Sequence, residues 1–289
     1  MSFASSGKPG SPTDPATEYR PATWRLILHG AQDGATNMAI DEAILSAVIE
    51  GSSPPTLRFY AWSPPCLSLG RNQPLAEVDL AACRAHGVDV VRRPTGGRAI
   101  LHTDELTYSV TLLQSDPRAT GDVVDSYRRL SEGLMAGLLS LGVGAAQVTG
   151  QHNAGLPPTP VCFEMPSKYE IAVGGQKLVG SAQWRVRGGV LQHGSLPLHG
   201  DLARIVDYLQ FDDDRRPAQH HLVRARALTL AEALGRVLTF DEAAQAMTEG
   251  FARALRLNLV QGHLTEREQS HAAELRRERY GAESWTADS

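Results

Sequence analysis

The sequence predicts an α+β fold around a mixed sheet, on three observations. Strand-like and helix-like segments alternate without the regular period of βαβ units. Paired glycines at 174–175 separate two strand-like runs. Beyond residue 200 the pattern turns helical.

The elements follow in order. Residues 1 to about 22 are rich in Gly, Ser, Pro and Thr and predict a flexible segment, because they bury too little to offset the entropy of ordering. The fold begins near Trp24 with the strand RLILHG. In NMAIDEAILSAVIEG, Met38, Ile40, Ala43, Ile44, Ala47 and Val48 recur at helical spacing before Gly51. TLRFYAW alternates as a strand does, LAACRAHG is a short helix ending at Gly87, and VDVVRR is a strand leading into PTGGRA. A second long helix places Val124, Tyr127, Leu130, Leu134, Leu138 and Leu141 on one face and stops at Gly142. GQHNAGLPPTP is loop. YEIAV and QKLVGSAQWRV form a hairpin, since the glycine pair supplies the positive φ angles of a two-residue turn. RGG then leads to the strand VLQHGSLPL. Thr229/Glu232, Thr239/Glu242 and Thr265/Glu268 each have the spacing of a capping box. Ala243, Met247, Phe251 and Leu255 mark the buried face of the helix after the second. Three segments result: 1–22 flexible, 23–210 the main α+β domain, and 211–289 a helical C-terminal extension packed on it.

Composition excludes several classes. With 42% hydrophobic residues in 289, the chain can bury a full core. No long apolar stretch predicts a membrane span, and the N-terminus lacks the basic and apolar regions of a secretory signal. Three cysteines, Cys66, Cys83 and Cys162, form neither a disulfide framework nor a zinc pattern, so the sequence predicts a cytoplasmic protein without metal or other cofactor. A net charge of -4 argues against a nucleic-acid binder. Basic residues cluster locally: Arg84, Arg92, Arg93 and Arg98 in one stretch, Arg185 and Arg187 in another.

Polar and glycine residues are densest in RRPTGGRAILHTDELTYSV, residues 92–110, where adjacent glycines let the backbone approach a ligand. Arg92, Arg93 and Arg98 carry the charge to hold an anion there. Cys162 lies in a loop stiffened by Pro157, Pro158, Pro160 and Pro166. On its own setting each cysteine reads as a small buried hydrophobe. Lys177 reads as an exposed hairpin lysine, and His102 and His193 as core histidines.

Three strings taken together, RRPTGGRAILHTDELTYSV, VCFEMPSKYEIAVGGQKLVGSAQ and GGVLQHGSLPL, resemble the lipoate-protein ligase and octanoyltransferase family of the biotin/lipoate ligase superfamily. NMAIDEAIL and LSLGRNQ extend the likeness over about residues 24–210. The resemblance implies a largely antiparallel mixed sheet flanked by helices, akin to class II aminoacyl-tRNA synthetases and biotin ligases. It implies substrate contacts from Arg92, Arg93, Thr95, Gly96, Gly97, Arg98 and His102, from Gly180 and Ser181, and from His193 and Gly194. Lys177 matches the family lysine that contacts the acyl carbonyl. VCFEMPSKYE resembles the transferase string CF-x-x-PS-x-YE, whose cysteine accepts the acyl group, and this makes Cys162 the implied nucleophile. Arg98 also stands where ligases commonly carry a third glycine. Lys168 departs from the transferase string, which commonly has an aromatic residue there.

The implied reaction carries an octanoyl group from acyl carrier protein, through a Cys162 thioester, to the lysine of a lipoyl domain. The acceptors are the lipoyl domains of 2-oxoacid dehydrogenases or the H-type glycine-cleavage carrier. The enzyme is expected to be a monomer, with no nucleic-acid or membrane partner. Lys177 is expected to polarise the carbonyl, and its charge to favour the thiolate. His102, His193 and the leaving thiolate are equal candidates for the base. The rival readings are an ATP-dependent lipoate ligase, an amidotransferase between carrier domains, and a non-catalytic lipoyl-domain binding module.

Overall fold

The computed structural model describes residues 19–149 and 168–287. Cys162 and the residues 150–167 around it therefore lie outside the described residues, as does most of the N-terminal segment.

Eleven strands among the described residues form two sheets. In chain order they are β1 (Ala22–Gln32), β2 (Thr56–Trp62), β3 (Cys66–Leu69), β4 (Asp89–Arg92), β5 (Ile100–His102), β6 (Glu105–Leu113), β7 (Ala146–Thr149), β8 (Lys168–Val173), β9 (Gln176–Val186), β10 (Gly189–Pro197) and β11 (Leu257–Gln261). The larger sheet runs β11-β1-β2-β6-β10-β9-β8-β7, and the smaller runs β4-β3-β5. Only β11-β1 and β1-β2 are parallel in the large sheet; its other pairs are antiparallel. The hairpin read at 174–175 is the turn between β8 and β9, with both glycines at positive φ.

Side chains alternate across strands, so the large sheet has two unlike faces. On one, Leu57, Phe59, Leu106, Tyr108, Val110 and Val190 build a core with α3 (Val123–Ser140) and α6 (Phe240–Ala254). The other face bears buried polar rows. Arg58, Ser109 and His193 lie in cross-strand register, as do Tyr60, Thr107 and Ser195. Helix α1 (Gly34–Ile49) packs on this second face and is buried nearly all round. The smaller sheet has its own core with α2 (Leu80–Ala85) and α4 (Arg216–Arg226), including Leu67, Leu69, Val88 and Val223.

The C-terminal part contains one strand that the helical reading lacks. β11 pairs with β1, Ala22 opposite Leu257 and Leu26 opposite Gln261, and so extends the main sheet. Five residues of LNLVQ are too few to separate a strand from a frayed helix end by pattern alone. The other C-terminal helices are α5 (Leu230–Leu234), α7 (Glu266–Leu275) and α8 (Glu283–Ala287). All three capping boxes form, at the starts of α5, α6 and α7. Ordered structure also begins before Trp24: Tyr19 is buried beneath the Arg118 guanidinium.

Helices α3 and α6 cross in near backbone contact. A Cβ on Gly250 would lie 2.3 Å from Gly137 N and 2.4 Å from Gly133 O, so no side-chain motion relieves it. Gly250→Ala should therefore cost about 1–3 kcal/mol, the usual range for overpacking. Denaturant unfolding should show this loss, whereas Glu249→Ala, on the exposed side of the same helix, should unfold like the parent. Equal stability of Gly250→Ala and the parent would contradict the close crossing.

Candidate active site

Strand β4 delivers the RRPTGGR segment to the seam between the two sheets. Arg92 ends that strand fully buried, but its guanidinium is turned to backbone. It donates to Gly70 O, Arg71 O and Gln73 O on one side and to Thr286 O on the other. It is an organiser of two chain segments and does not line the cavity. Arg93 does line it, and holds the loop in shape by donating to Ser68 O, Ser68 Oγ, Gly96 O and Arg98 O. Arg98 points away to Glu77 at 3.3 Å and is partly exposed.

Between the sheets lies a cavity of about 80 Å³. Gly96, Gly97, Ile100 and His102 wall one side; Gly180, Ser181, Ala182, His193 and Gly194 wall the other. Met38, Tyr60, Trp62, Ser68, Thr107 and Ser195 complete the lining. Gly194 is fixed by close approach: a Cβ there would meet Gly180 O and Ser181 Oγ, both at 2.5 Å. Eight of the sequence-derived residues are thus brought together: Arg93, Gly96, Gly97, His102, Gly180, Ser181, His193 and Gly194. Thr95 sits behind the wall, bonded through Oγ1 to His193 Nε2 at 2.7 Å.

Two buried carboxylates anchor these walls. Asp41 of α1 accepts from Arg58 Nη1 at 2.7 Å, Tyr60 OH at 2.9 Å and Ser109 Oγ at 2.8 Å. Burial pushes its carboxyl up, but the Arg58 guanidinium and its hydrogen bonds prevail and hold it below the usual range. His193 Nδ1 lies 3.7 Å from Asp41 Oδ2. Burial lowers the His193 pKa, with Asp41 opposing.

Glu105 of β6 anchors the other wall. It accepts from His102 Nδ1 at 2.8 Å, from Ser195 Oγ at 2.6 Å and from Thr107 Oγ1. Here too burial raises the carboxyl, while His102 and the hydroxyl donors outweigh it and keep the net shift downward. Trp62 stacks on the His102 ring, 4.0 Å between centroids and 11° from parallel.

Lys177 is not the exposed hairpin lysine its position suggests. It is 4% exposed, and its Nζ lies 2.5 Å from Glu170 Oε1. A buried ammonium needs such a partner, because its desolvation is otherwise unpaid. The end of its side chain lies against Gly180, where a Cβ would sit 3.2 Å from Lys177 Cε. It is therefore placed immediately behind the cavity wall.

Cys66 and Cys83 are free and buried, and burial raises both thiols, Cys83 to about 11. Neither is poised as a thiolate at neutral pH. Cys162 lies outside the described residues. The chain leaves them at Thr149 and re-enters at Lys168, which are register partners in β7 and β8, and β8 pairs with the cavity strand β9. Among the described residues no group of three or more His, Cys, Asp or Glu could hold a metal ion. No described helix is long and apolar enough to cross a membrane.

Sequence reasoning missed Asp41, Glu105, Ser68 and Ser195. Signals existed: a lone acidic pair inside the apolar NMAIDEAIL helix, and the strict alternation of E, T, S and T in ELTYSVT, which puts every polar side chain on one face. Arg185, of the second basic cluster, commits its guanidinium to Gly121 O, Ala119 O, Asp122 O and Ser126 Oγ around the start of α3. Arg187 is exposed.

The family model described as "Lipoyl protein ligase A/B catalytic domain" matches residues 33–252. The chain is 46% identical over 269 residues to Octanoyltransferase LipM of Symbiobacterium thermophilum, with 91% of this chain and 97% of that one covered. It is 45% identical over 267 residues to Octanoyltransferase LipM of Moorella thermoacetica, at the same coverage. Among solved structures, the bipartite lipoate protein ligase of Thermoplasma acidophilum superposes with a TM-score of 0.78 at 26% identity, covering 92% of this chain and 96% of that one. Lipoate-protein ligase A bound with ATP superposes with a TM-score of 0.75 at 27% identity, covering 92% and 99%. With the cavity and the near full-length likeness agreeing, the chain belongs to the lipoyl protein ligase A/B catalytic domain family.

Proposed function

We propose that this enzyme is an octanoyltransferase of lipoate biosynthesis, carrying an octanoyl group from acyl carrier protein to the lysine of a lipoyl domain through a thioester on Cys162. The observation that carries the reading is the near full-length likeness to octanoyltransferases at 44–46% identity. The CF-x-x-PS-x-YE string around Cys162 agrees with it. The narrow glycine-walled cavity suits an unbranched acyl chain, with the larger apolar side chains Met38, Trp62 and Ile100 available to cover it. Lys177, behind Gly180, supplies positive charge where the acyl carbonyl would develop negative charge. Glu170 orients that ammonium. The protein works as a cytoplasmic monomer, and the H-type glycine-cleavage carrier is a second possible acceptor.

The rival with structural support is an ATP-dependent lipoate ligase, since ligases superpose over 92% of the chain. A ligase activates a free acid as an adenylate, whereas a transferase starts from a thioester and needs an enzymic nucleophile.

Incubation with octanoyl-acyl carrier protein, without ATP, should add one octanoyl group to the intact protein mass. Cys162→Ser should abolish this gain, and Cys66→Ser and Cys83→Ser should keep it. Acylation of Cys162→Ser, or adenylate formation from free octanoate and ATP in the parent, would overturn the reading. Lys177→Ala should still bind the carrier but acylate about 10²- to 10³-fold more slowly. The Lys177→Ala/Glu170→Gln pair controls for the buried carboxylate left behind; normal acylation in either variant would remove the role from Lys177.

Carrier docking is expected at the exposed guanidinium of Arg187. Arg187→Glu should slow carrier-dependent acylation and flatten its salt dependence, because exposed interface charges act by steering and are screened over about 8 Å at physiological ionic strength. Arg185→Glu should in addition destabilise the α3 end. Unchanged rates and salt slopes for Arg187→Glu would place docking elsewhere.

A further inference from the structure

We infer that Ser68, His102 and Glu105 form a proton relay that accepts the proton lost by the attacking amine, with Ser68 Oγ as the group facing the reactants. The inference rests on the acyl-transfer reading above. It names the base which sequence alone left open among His102, His193 and the leaving thiolate.

The three groups form one hydrogen-bonded line. Glu105 Oε1 is 2.8 Å from His102 Nδ1, and His102 Nε2 is 2.8 Å from Ser68 Oγ. The protonation pattern along it follows from its neighbours. Glu105 is held ionised by its donors, so it can only accept, and Nδ1 must carry the hydrogen. Arg93 Nη1 donates to Ser68 Oγ at 3.0 Å and cannot accept, so the one Ser68 hydrogen is directed to Nε2. With the ring neutral, Nε2 is then the nitrogen that accepts the Ser68 hydrogen. The ring cannot turn out of line, because Trp62 stacks on it while donating through Nε1 to Thr107 Oγ1 at 2.7 Å. Both Ser68 and His102 line the cavity.

His193 lacks these features. Its Nε2 bonds Thr95, which does not line the cavity, and its Nδ1 is 3.7 Å from Asp41, beyond hydrogen-bond distance. Asp41 is moreover already matched by Arg58, whereas an imidazolium at His102 would be paired with Glu105.

The reaction needs this relay in one half only. When the enzyme thiolate attacks the donor thioester, one C–S bond forms, another breaks, and a thiolate leaves; no proton is released. When the acceptor amine attacks the enzyme thioester, a C–N bond forms, the C–S bond breaks with its electron pair on sulfur, and nitrogen must lose a proton. That proton passes to Ser68 Oγ as the Ser68 proton passes to His102 Nε2. Arg93 stabilises the negative charge that develops on the serine oxygen meanwhile. The imidazolium then returns its proton to solvent, and Cys162 is left as the thiolate that begins the next cycle.

The test separates the two halves by rapid quench of the full-length protein. Octanoyl-acyl carrier protein first loads the enzyme, and a lipoyl domain then takes the group. Ser68→Ala and His102→Gln, the latter keeping an acceptor near Nε2, should slow the second step about 10²- to 10⁴-fold, the usual contribution of general base catalysis. Loading should fall far less than the second step, which separates loss of the relay from damage to the cavity. Glu105→Gln, a positioning change, should give the same split to a smaller degree. Equal loss in both steps would assign these residues to structure alone, and an unaffected second step would overturn the relay. A parent enzyme that gains no octanoyl group overturns the acyl-transfer reading itself, and the relay with it.

Discussion

Two carboxylates buried beside one cavity are the constraint on which the rest of this molecule depends. A carboxylate taken out of water without partners is too costly to remain ionised, and removing one partner of a buried pair costs about 3–5 kcal/mol. Asp41 and Glu105 meet this requirement with donors from different elements. Asp41, on α1, draws Arg58 and Tyr60 from β2 and Ser109 from β6. Glu105, on β6, draws His102 from β5 of the smaller sheet and Ser195 from β10. Satisfying the two carboxylates therefore fixes the helix and both sheets relative to one another.

What remains between them is a small cavity with polar anchors at its margins and glycines along its walls. The register of β6, β10 and β9 brings Gly194 against Gly180 and Ser181, leaving space where side chains would otherwise fill the seam. The third buried pair, Lys177 with Glu170, stands just outside that wall. The C-terminal residues contribute from a distance. Trp285 Nε1 donates to Arg92 O at 2.9 Å, and Thr286 O receives the Arg92 guanidinium, so α8 secures the strand that presents the RRPTGG loop. β11 similarly completes the sheet edge next to β1.

Much of this was legible in the sequence because it depends on local pattern. Alternation announced β2, helical spacing announced α1 and α3, and glycine pairs and capping boxes marked the turns and helix starts where they occur. Eight cavity residues were found through the resemblance of three strings. What escaped depends on contacts distant in the chain. Arg92 looks like a ligand-binding arginine until Thr286, nearly two hundred residues on, is seen to accept its hydrogen bonds. Lys177 looks exposed because its partner Glu170 lies across the hairpin. Ser68 is an ordinary strand residue in LSLG, and only the pairing of β3 with β5 places it beside His102.

If the acyl-transfer reading holds, the cavity beside the two carboxylates receives an acyl chain borne by Cys162. A crystal structure of the octanoyl-enzyme, loaded from octanoyl-acyl carrier protein and frozen before any acceptor is added, tests it most directly. The expected result is a thioester on the Cys162 sulfur and an extended octanoyl chain between Gly96–Gly97 and Gly180–Gly194. An octanoyl group on another residue, or a chain lying outside this cavity, would contradict it.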